Sequence, residues 1–330
     1  MKRNYEPKEL FLERMKQLLP NEKDFQSYLE ILKHEPVRSI RCNPLKISPD
    51  KLKKLLEEKG WKISQPWKTN PEIMIVEGKI APIGDNKNNI NKTNEVSNKF
   101  QQDISDINKF KSIRASASKI GVGERSRFDK YEDNKNKSRT GVGRGLVGWD
   151  NLIDLEPGEL GRSLEHLLGY YYIQELASML PVIALDPKEN ELILDLAASP
   201  GSKTTQISAR MNNTGTIIAN EVSLGRIKIL ASNLERCGCT NTIITRKDGV
   251  AFCQRIKKYF PELKFDKILV DAPCSGEGTL RSTPKTYQMW NPNTIFNLSK
   301  LQKSLVASAI EILKPNGILV YSTCTHAPEE

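Results

Sequence analysis

The chain has 330 residues, 38% of them hydrophobic, and a net charge of +10. That length supports at least one large core and allows two domains. No apolar run reaches the roughly 18–20 residues of a membrane span, which argues against a membrane-spanning protein, and the basic balance favours a polyanionic partner. Six cysteines without a secretory spacing, and no leader pattern, point to a reducing cytoplasm where free thiols stay usable.

In chain order, Phe11, Met15, Leu18 and Leu19 recur at helical spacing, so residues 7–19 read as an amphipathic helix, followed by a second over 23–33. Ser39–Asn43 reads as a strand, and Ser48–Lys59 as a helix ending at Gly60. These make a small α+β domain over 1–84, in which Arg38 and Arg41 either touch phosphate or lie on a solvated face. Residues 85–140 hold nine Asn and nine Lys and no Pro or Trp. A segment of that composition buries too little to offset its ordering entropy, so 85–150 reads as a flexible insertion. Residues 160–187 read as a helical segment broken at Gly169, its Tyr170-Tyr171-Tyr172 run serving either core packing or base stacking.

From Glu191 onward, strand-like and helix-like runs alternate: ELILDLA, TTQISARM, TIIANE, GRIKILASNLERCG, TIITRKD, a helix at 250–259, DKILVDAP, a helix around 294–313 and GILVYSTC. This alternation predicts a doubly wound, Rossmann-like α/β sheet over 151–330. After the first strand, Asp195-Leu-Ala197-Ala198-Ser199-Pro200-Gly201-Ser202-Lys203 opens a helix. Gly201 lets the backbone approach a ligand there, and the helix start offers free N–H groups. The pattern is neither GxGxxG nor GxxxxGKT. The second strand ends at Glu221, about 20 residues beyond the glycine turn and placed to accept from ribose hydroxyls. The third ends at Asp248, placed to meet an adenine amino group. Three carboxylate-rich strand ends suit a neutral or cationic nucleoside, so S-adenosylmethionine fits better than a dinucleotide with its anionic pyrophosphate.

Two cysteines then follow strand-like runs. Cys274 lies in VDAPCSGEGT after KILV, and Cys324 in LVYSTCTHAPEE after ILVY. Each thiol is therefore expected just past the carboxyl end of a parallel strand, where open α/β sheets place their chemistry. Cys237-Gly-Cys239 is spaced too closely for a zinc site and lacks a histidine pair, so no metal is expected.

Over DLAASPGSKTTQ, IIANEVSLGRIKILASNLERCG, TRKDG, DKILVDAPCSGEGTLR and YSTCTHAPEE, the chain resembles the Nop/Sun family of RNA (cytosine-5) methyltransferases. IRCNPLK and HLLGYYYIQELASMLP resemble the family's upstream signatures. The resemblance implies S-adenosylmethionine held by Ala197, Ala198, Ser199, Pro200, Gly201, Ser202, Lys203, Glu221, Arg226, Asp248 and Asp271. It implies Cys324 as nucleophile, Cys274 as the residue that releases product, and an RNA-binding role for 1–84. Adding a thiolate to cytosine carbon 6 makes carbon 5 nucleophilic, and a base must remove the carbon 5 proton before the adduct eliminates. Asp271, protonated while it acts, is expected to hydrogen-bond the base edge, and Cys274 to take that proton. Surroundings that lower the Cys324 thiol pKa are expected, with Lys203 as one nearby cation. DNA cytosine methyltransferases instead carry a Glu-Asn-Val motif, which is absent here. Within the family the chain looks most like archaeal, transfer-RNA-directed members, with ribosomal RNA as the alternative substrate. Family members continue beyond the point matching Glu330 with further strands. The C-terminal strands of the sheet are thus expected to be missing, leaving an edge for a partner chain to complete and an isolated chain of poor solubility or activity.

Overall fold

The computed structural model describes residues 7–80, 152–156 and 158–330; the expected insertion over 85–150 lies outside the described residues. Helices α1 (Glu9–Leu18) and α2 (Glu22–Ile31) open the chain. Asn21 caps α2 by accepting from the Lys23 amide at 2.9 Å, in place of an intrahelical partner. Strand β1 (Ser39–Cys42) leads to α3 (Pro49–Glu58), which Ser48 caps and Pro49 starts. Leu52 and Leu56, one turn apart, bury completely on its inner face and contribute roughly 1.5–3 kcal/mol each.

Strands β2 (Trp61–Ser64), β3 (Ile73–Ile80), β4 (Leu152–Ile153) and β5 (Tyr171–Ile173) join β1 in an antiparallel sheet ordered β2-β3-β1-β5, with β4 on β3. Residues 152–173 therefore belong to the N-terminal sheet, although a division at 151 assigns them to the following domain. The expected helix over 160–187 resolves into two short turns at 159–162 and 164–167, strand β5, and helix α4 (Leu176–Leu185). Bulky aromatics favour the pleated surface. Tyr171 pairs with Cys42 and is fully buried, and Tyr172 is 9% exposed, so core packing accounts for both. Gly169 makes the break at φ +74°, where an added Cβ would lie 1.9 Å from the Arg236 carbonyl oxygen.

The second sheet is wholly parallel. It comprises β6 (Leu192–Asp195), β7 (Thr216–Asn220), β8 (Thr242–Thr245), β9 (Phe265–Asp271) and β10 (Leu313–Ser322), ordered β10-β9-β6-β7-β8. Helices α5 (Ser202–Arg210), α6 (Leu224–Cys237), α7 (Gly249–Tyr259) and α8 (Pro292–Ile310) make the crossovers. This is the doubly wound, Rossmann-like sheet read from the alternation. Strand order reverses between β6 and β9, so the switch point lies at the carboxyl ends of those two strands.

Arg41 joins the two sheets. It is 2% exposed, and its guanidinium donates to Gln174 Oε1 (2.5 Å), the Ser202 carbonyl (2.6 Å) and Thr205 Oγ1 (2.7 Å), with the Tyr172 ring 5.4 Å away. Neither expected role, a phosphate contact or a solvated face, holds for it. The fork of donors matches buried acceptors at the start of α5, and burial lowers its pKa only to about 10, leaving it charged at neutral pH.

Candidate active site

Glu221, Asp271 and the Ala197 turn follow buried strands of the parallel sheet, where a side chain is first free to face the crevice, whereas Lys203 and Arg226 lie in the first turns of the helices that come after. Asp195 ends β6, is 1% exposed, and accepts from Thr204 Oγ1 at 2.7 Å. Its Oδ1 is buried without a partner. Burial, reinforced by the neighbouring Asp271 charge, pushes its pKa up to about 7 against the opposing Thr204 hydrogen bond.

The Ala197–Gly201 turn follows, with Gly201 at φ +100°. A Cβ there would meet Leu230 Cδ1 at 3.0 Å, so glycine lets α6 close over the turn. Ser199 and Arg226 clasp each other: Ser199 Oγ donates to the Arg226 carbonyl at 2.9 Å, and Arg226 Nη2 donates to the Ser199 carbonyl at 2.5 Å. Asn233 Nδ2 holds the Pro200 carbonyl at 2.9 Å.

Glu221, just past β7, is 1% exposed. Its Oε1 accepts the Ser223 amide at 2.9 Å. Arg226 Nη1 stands 3.2 Å from Oε2, but without hydrogen-bond alignment, and that oxygen is buried with no donor. The charge attraction is present, therefore, while one acceptor is left over. Asp248 caps α7 through Oδ1, which accepts the Ala251 amide at 3.0 Å.

Across the switch point, Asp271 ends β9. Lys203 Nζ donates to its Oδ2 at 2.6 Å and Ser322 Oγ to its Oδ1 at 2.7 Å, and Ser322 is its register partner on β10. Lys203 also reaches Ser178 Oγ at 3.3 Å. Both carboxylate oxygens are thus acceptors here. For Asp271 to donate to a base edge, as its expected role requires, one of these oxygens must take up a proton on its second lone pair.

The two thiols meet. Cys274 Sγ and Cys324 Sγ are 3.2 Å apart, and the Cys324 amide donates to Cys274 Sγ at 3.3 Å. Either sulfur can donate to the other; with Cys324 as the donor the contact stabilises a Cys274 thiolate, whose pKa falls to about 7, helped by backbone N–H donors and opposed by burial. The same contact, then burial, pushes the Cys324 pKa up. Cys324 was the thiol expected to be lowered, with Lys203 beside it. Lys203, paired with Asp271, does act on Cys324 in the lowering sense, but the Cys274 contact and burial outweigh it.

The motifs did not mark Ser178, Ser322 or Glu277. Ser322 could have been found as the last residue of its strand, parallel to Asp271. Glu277 is 1% exposed and accepts from Trp290 Nε1 (2.6 Å), Thr325 Oγ1 (3.2 Å) and the His326 amide (3.1 Å). No local pattern announces contacts so distant in sequence.

Residues 182–330 match the family model described as 16S rRNA methyltransferase RsmB/F, and residues 7–72 the one described as N-terminal domain of 16S rRNA methyltransferase RsmF. Ribosomal RNA small subunit methyltransferase F of Pectobacterium carotovorum subsp. carotovorum (strain PC1) is 49% identical over 184 residues, 55% of this chain and 37% of that protein. The protein of the same name from Aliivibrio fischeri (strain MJ11) is 46% identical over 184 residues, covering 55% and 38%. The chain thus spans well under half the length of these relatives. A crystal structure of NSun6 from Pyrococcus horikoshii with SFG superposes with a TM-score of 0.65 at 25% identity, covering 98% of this chain and 84% of that one. A methyltransferase homolog protein from Pyrococcus horikoshii gives a TM-score of 0.58 at 28% identity, covering 91% and 68%. The fold is that of the Rossmann-like S-adenosylmethionine-dependent methyltransferases with an added N-terminal domain.

Proposed function

We propose that the chain carries the catalytic part of an S-adenosylmethionine-dependent RNA (cytosine-5) methyltransferase acting on small-subunit ribosomal RNA. The observation that carries the reading is the thiol pair. Cys274 and Cys324 come from separate strand ends, lie 3.2 Å apart, and border Asp271 at the switch point. A buried structural cysteine has no use for such a contact, whereas a nucleophile needs a proton acceptor within hydrogen-bond reach.

The residues present fit the cofactor. Glu221 Oε2, which faces Arg226 but accepts no hydrogen bond, offers a buried acceptor to a ribose hydroxyl. Ala197–Lys203 forms a glycine-bearing cradle, Arg226 braces it, and Asp248 and Asp271 flank it. S-adenosylmethionine, when bound, supplies a methyl group on a cationic sulfonium, which carboxylates at three strand ends favour.

Cys324 adds to cytosine carbon 6 as its thiol proton passes to the Cys274 thiolate, so the proton ends on Cys274 while the negative charge moves onto the cytosine ring and makes carbon 5 the nucleophile toward the methyl group. Asp271, protonated while it acts, holds the base edge. Cys274, once it has lost that proton to solvent, takes the carbon 5 proton, and the Cys324 bond to carbon 6 then breaks. The target base must leave its stack to reach this pair.

Ribosomal RNA replaces transfer RNA as the favoured substrate because both curated relatives are named for the small ribosomal subunit. Residues 1–84 serve as the RNA-binding part in this reading, supported by the match over 7–72. The cytoplasm is its location, where two adjacent thiols stay reduced.

The test is tritiated methyl transfer to an unmodified 16S rRNA transcript, with a transfer RNA transcript alongside. Cys324→Ala should lower the rate by about 1,000-fold or more. Cys274→Ala should leave a covalent protein–RNA species that survives denaturing electrophoresis. Transfer to the transfer RNA alone would overturn the substrate, and full activity of Cys324→Ala would overturn the mechanism.

A further inference from the structure

The loop after Cys274 and the turn after Cys324 are tied together by more than their sulfurs. Ser275 Oγ and Thr325 Oγ1 share a 2.7 Å hydrogen bond, and the Gly278 amide donates to the Cys324 carbonyl at 2.8 Å. A Cβ on Gly278 would approach that carbonyl to 3.0 Å, so the two segments are as close as backbone allows. At the centre of this contact lies Glu277. One oxygen accepts from Trp290, and the other from both Thr325 and the His326 amide.

Among the described residues its partners are all neutral, and no ion pair offsets its charge. A buried carboxylate without a counter-ion is costly unless its acceptors are filled, as these are. Its value lies in being an acceptor only. Three donors from two segments converge on it, and an amide in its place must turn its NH2 group toward one of those donor sets.

Trp290 carries the contact further. Its ring meets Phe11 of α1 edge-on at 5.2 Å, and Lys8 Nζ donates to its carbonyl at 3.1 Å. Phe11, Met15 and Phe25 form one core with Leu280, Tyr287, Trp290 and Ala327, which flank the two cysteine segments. The N-terminal helices thus share a core with residues that lie a few positions beyond each cysteine in sequence.

We propose that Glu277 is a positioning residue that sets the contact between the Cys274 and Cys324 sulfurs, with α1 supporting it through Trp290. Its catalytic consequence rests on the methyltransferase reading; its consequence for the thiols does not.

The test uses the whole chain carrying Glu277→Gln or Trp290→Phe, the latter deleting the indole donor while keeping a ring against Phe11. Iodoacetamide alkylation of Cys274 and Cys324 is followed against pH by peptide mass spectrometry, beside kcat, the KM for S-adenosylmethionine and thermal melting. Glu277→Gln should raise the Cys274 alkylation midpoint by about one pH unit as the Cys324 donor drifts away. It should also lower kcat by about 100-fold, the scale of an ångström's misplacement, with KM within about twofold of wild type. Trp290→Phe should move both readouts the same way by about a third as much on a logarithmic scale, and it decides the matter if the glutamine variant does not fold. Unchanged alkylation profiles in the folded variants would overturn the proposal, as would a kcat loss matched by an equal rise in KM. If the wild-type chain transfers no methyl group but the alkylation profiles shift as described, the positioning role stands and the methyltransferase reading falls.

Discussion

Replacing Asp195 by Asn gives a quantitative test of how the buried end of β6 is held. Asp195 titrates near 7 in the folded chain and near 3.9 when unfolded. Because its folded pKa is raised, the folded state binds the extra proton between about pH 4 and pH 7. Asp195 therefore penalises folding least below about pH 4, and progressively more as pH rises through 7. The full difference corresponds to about 4 kcal/mol above pH 8 at 1.36 kcal/mol per pH unit. Asparagine removes that penalty and can still accept from Thr204. Its NH2 group replaces the partnerless Oδ1, which costs back about 1–3 kcal/mol. Urea unfolding of both proteins from pH 5 to pH 8 should show Asp195→Asn gaining on wild type by roughly 2–3 kcal/mol across that range, with a net advantage of about 2 kcal/mol at the upper end. A difference that stays flat with pH, or that favours wild type increasingly as pH rises, would show that Asp195 is ionised and satisfied in the folded chain.

Alkylation of Cys274 in the unsubstituted protein should accelerate as pH rises through about 7, the value at which its thiolate forms, with Cys324 reacting only at higher pH; reversed order would contradict the donor–acceptor assignment. Lys203→Met leaves Asp271 without its cation, a partly exposed pair, and should cost roughly 1–2 kcal/mol in urea unfolding while weakening S-adenosylmethionine binding by about tenfold in calorimetry. Arg41→Met removes three donors from buried acceptors and should destabilise the chain by about 3–5 kcal/mol. Arg41→Lys, which cannot reproduce the fork, should recover less than half of that loss. Gly169→Ala forces a Cβ against the Arg236 carbonyl at positive φ, so a cost of about 3 kcal/mol or more is expected from the melting shift.

The parallel sheet was legible because each of its strands is a short apolar run ending in a polar residue, and the helices between them keep a 3.6-residue period. The same logic put Asp195 and Asp271 at strand ends and Glu221, Cys274 and Cys324 just past them, where they are found, but the third strand stops at Thr245 and Asp248 caps the helix that follows. The N-terminal sheet was only partly legible. Ile73–Ile80 alternates buried and half-buried positions, as a one-sided strand should, yet its partners β1, β2, β4 and β5 are scattered across the sequence. The helical reading of 160–187 failed at Tyr171, where burial against β1 outweighed local periodicity. The donor–acceptor sense of the thiol pair was not legible either. It depends on which sulfur faces the other's amide, here Cys274 Sγ on the Cys324 amide at 3.3 Å, a matter of ångströms between loops 50 residues apart.

The pairing of β3 with β4 has a consequence for the chain's history and its engineering. Ile80 and Leu152 are register partners, so the chain leaves the sheet and re-enters it at adjacent, antiparallel positions. A turn joining those two positions directly would leave every strand of the sheet in its register. A gene at such a point can gain or lose codons neutrally, and a designer can trim the connection to a tight Asn-Gly turn or graft another module there.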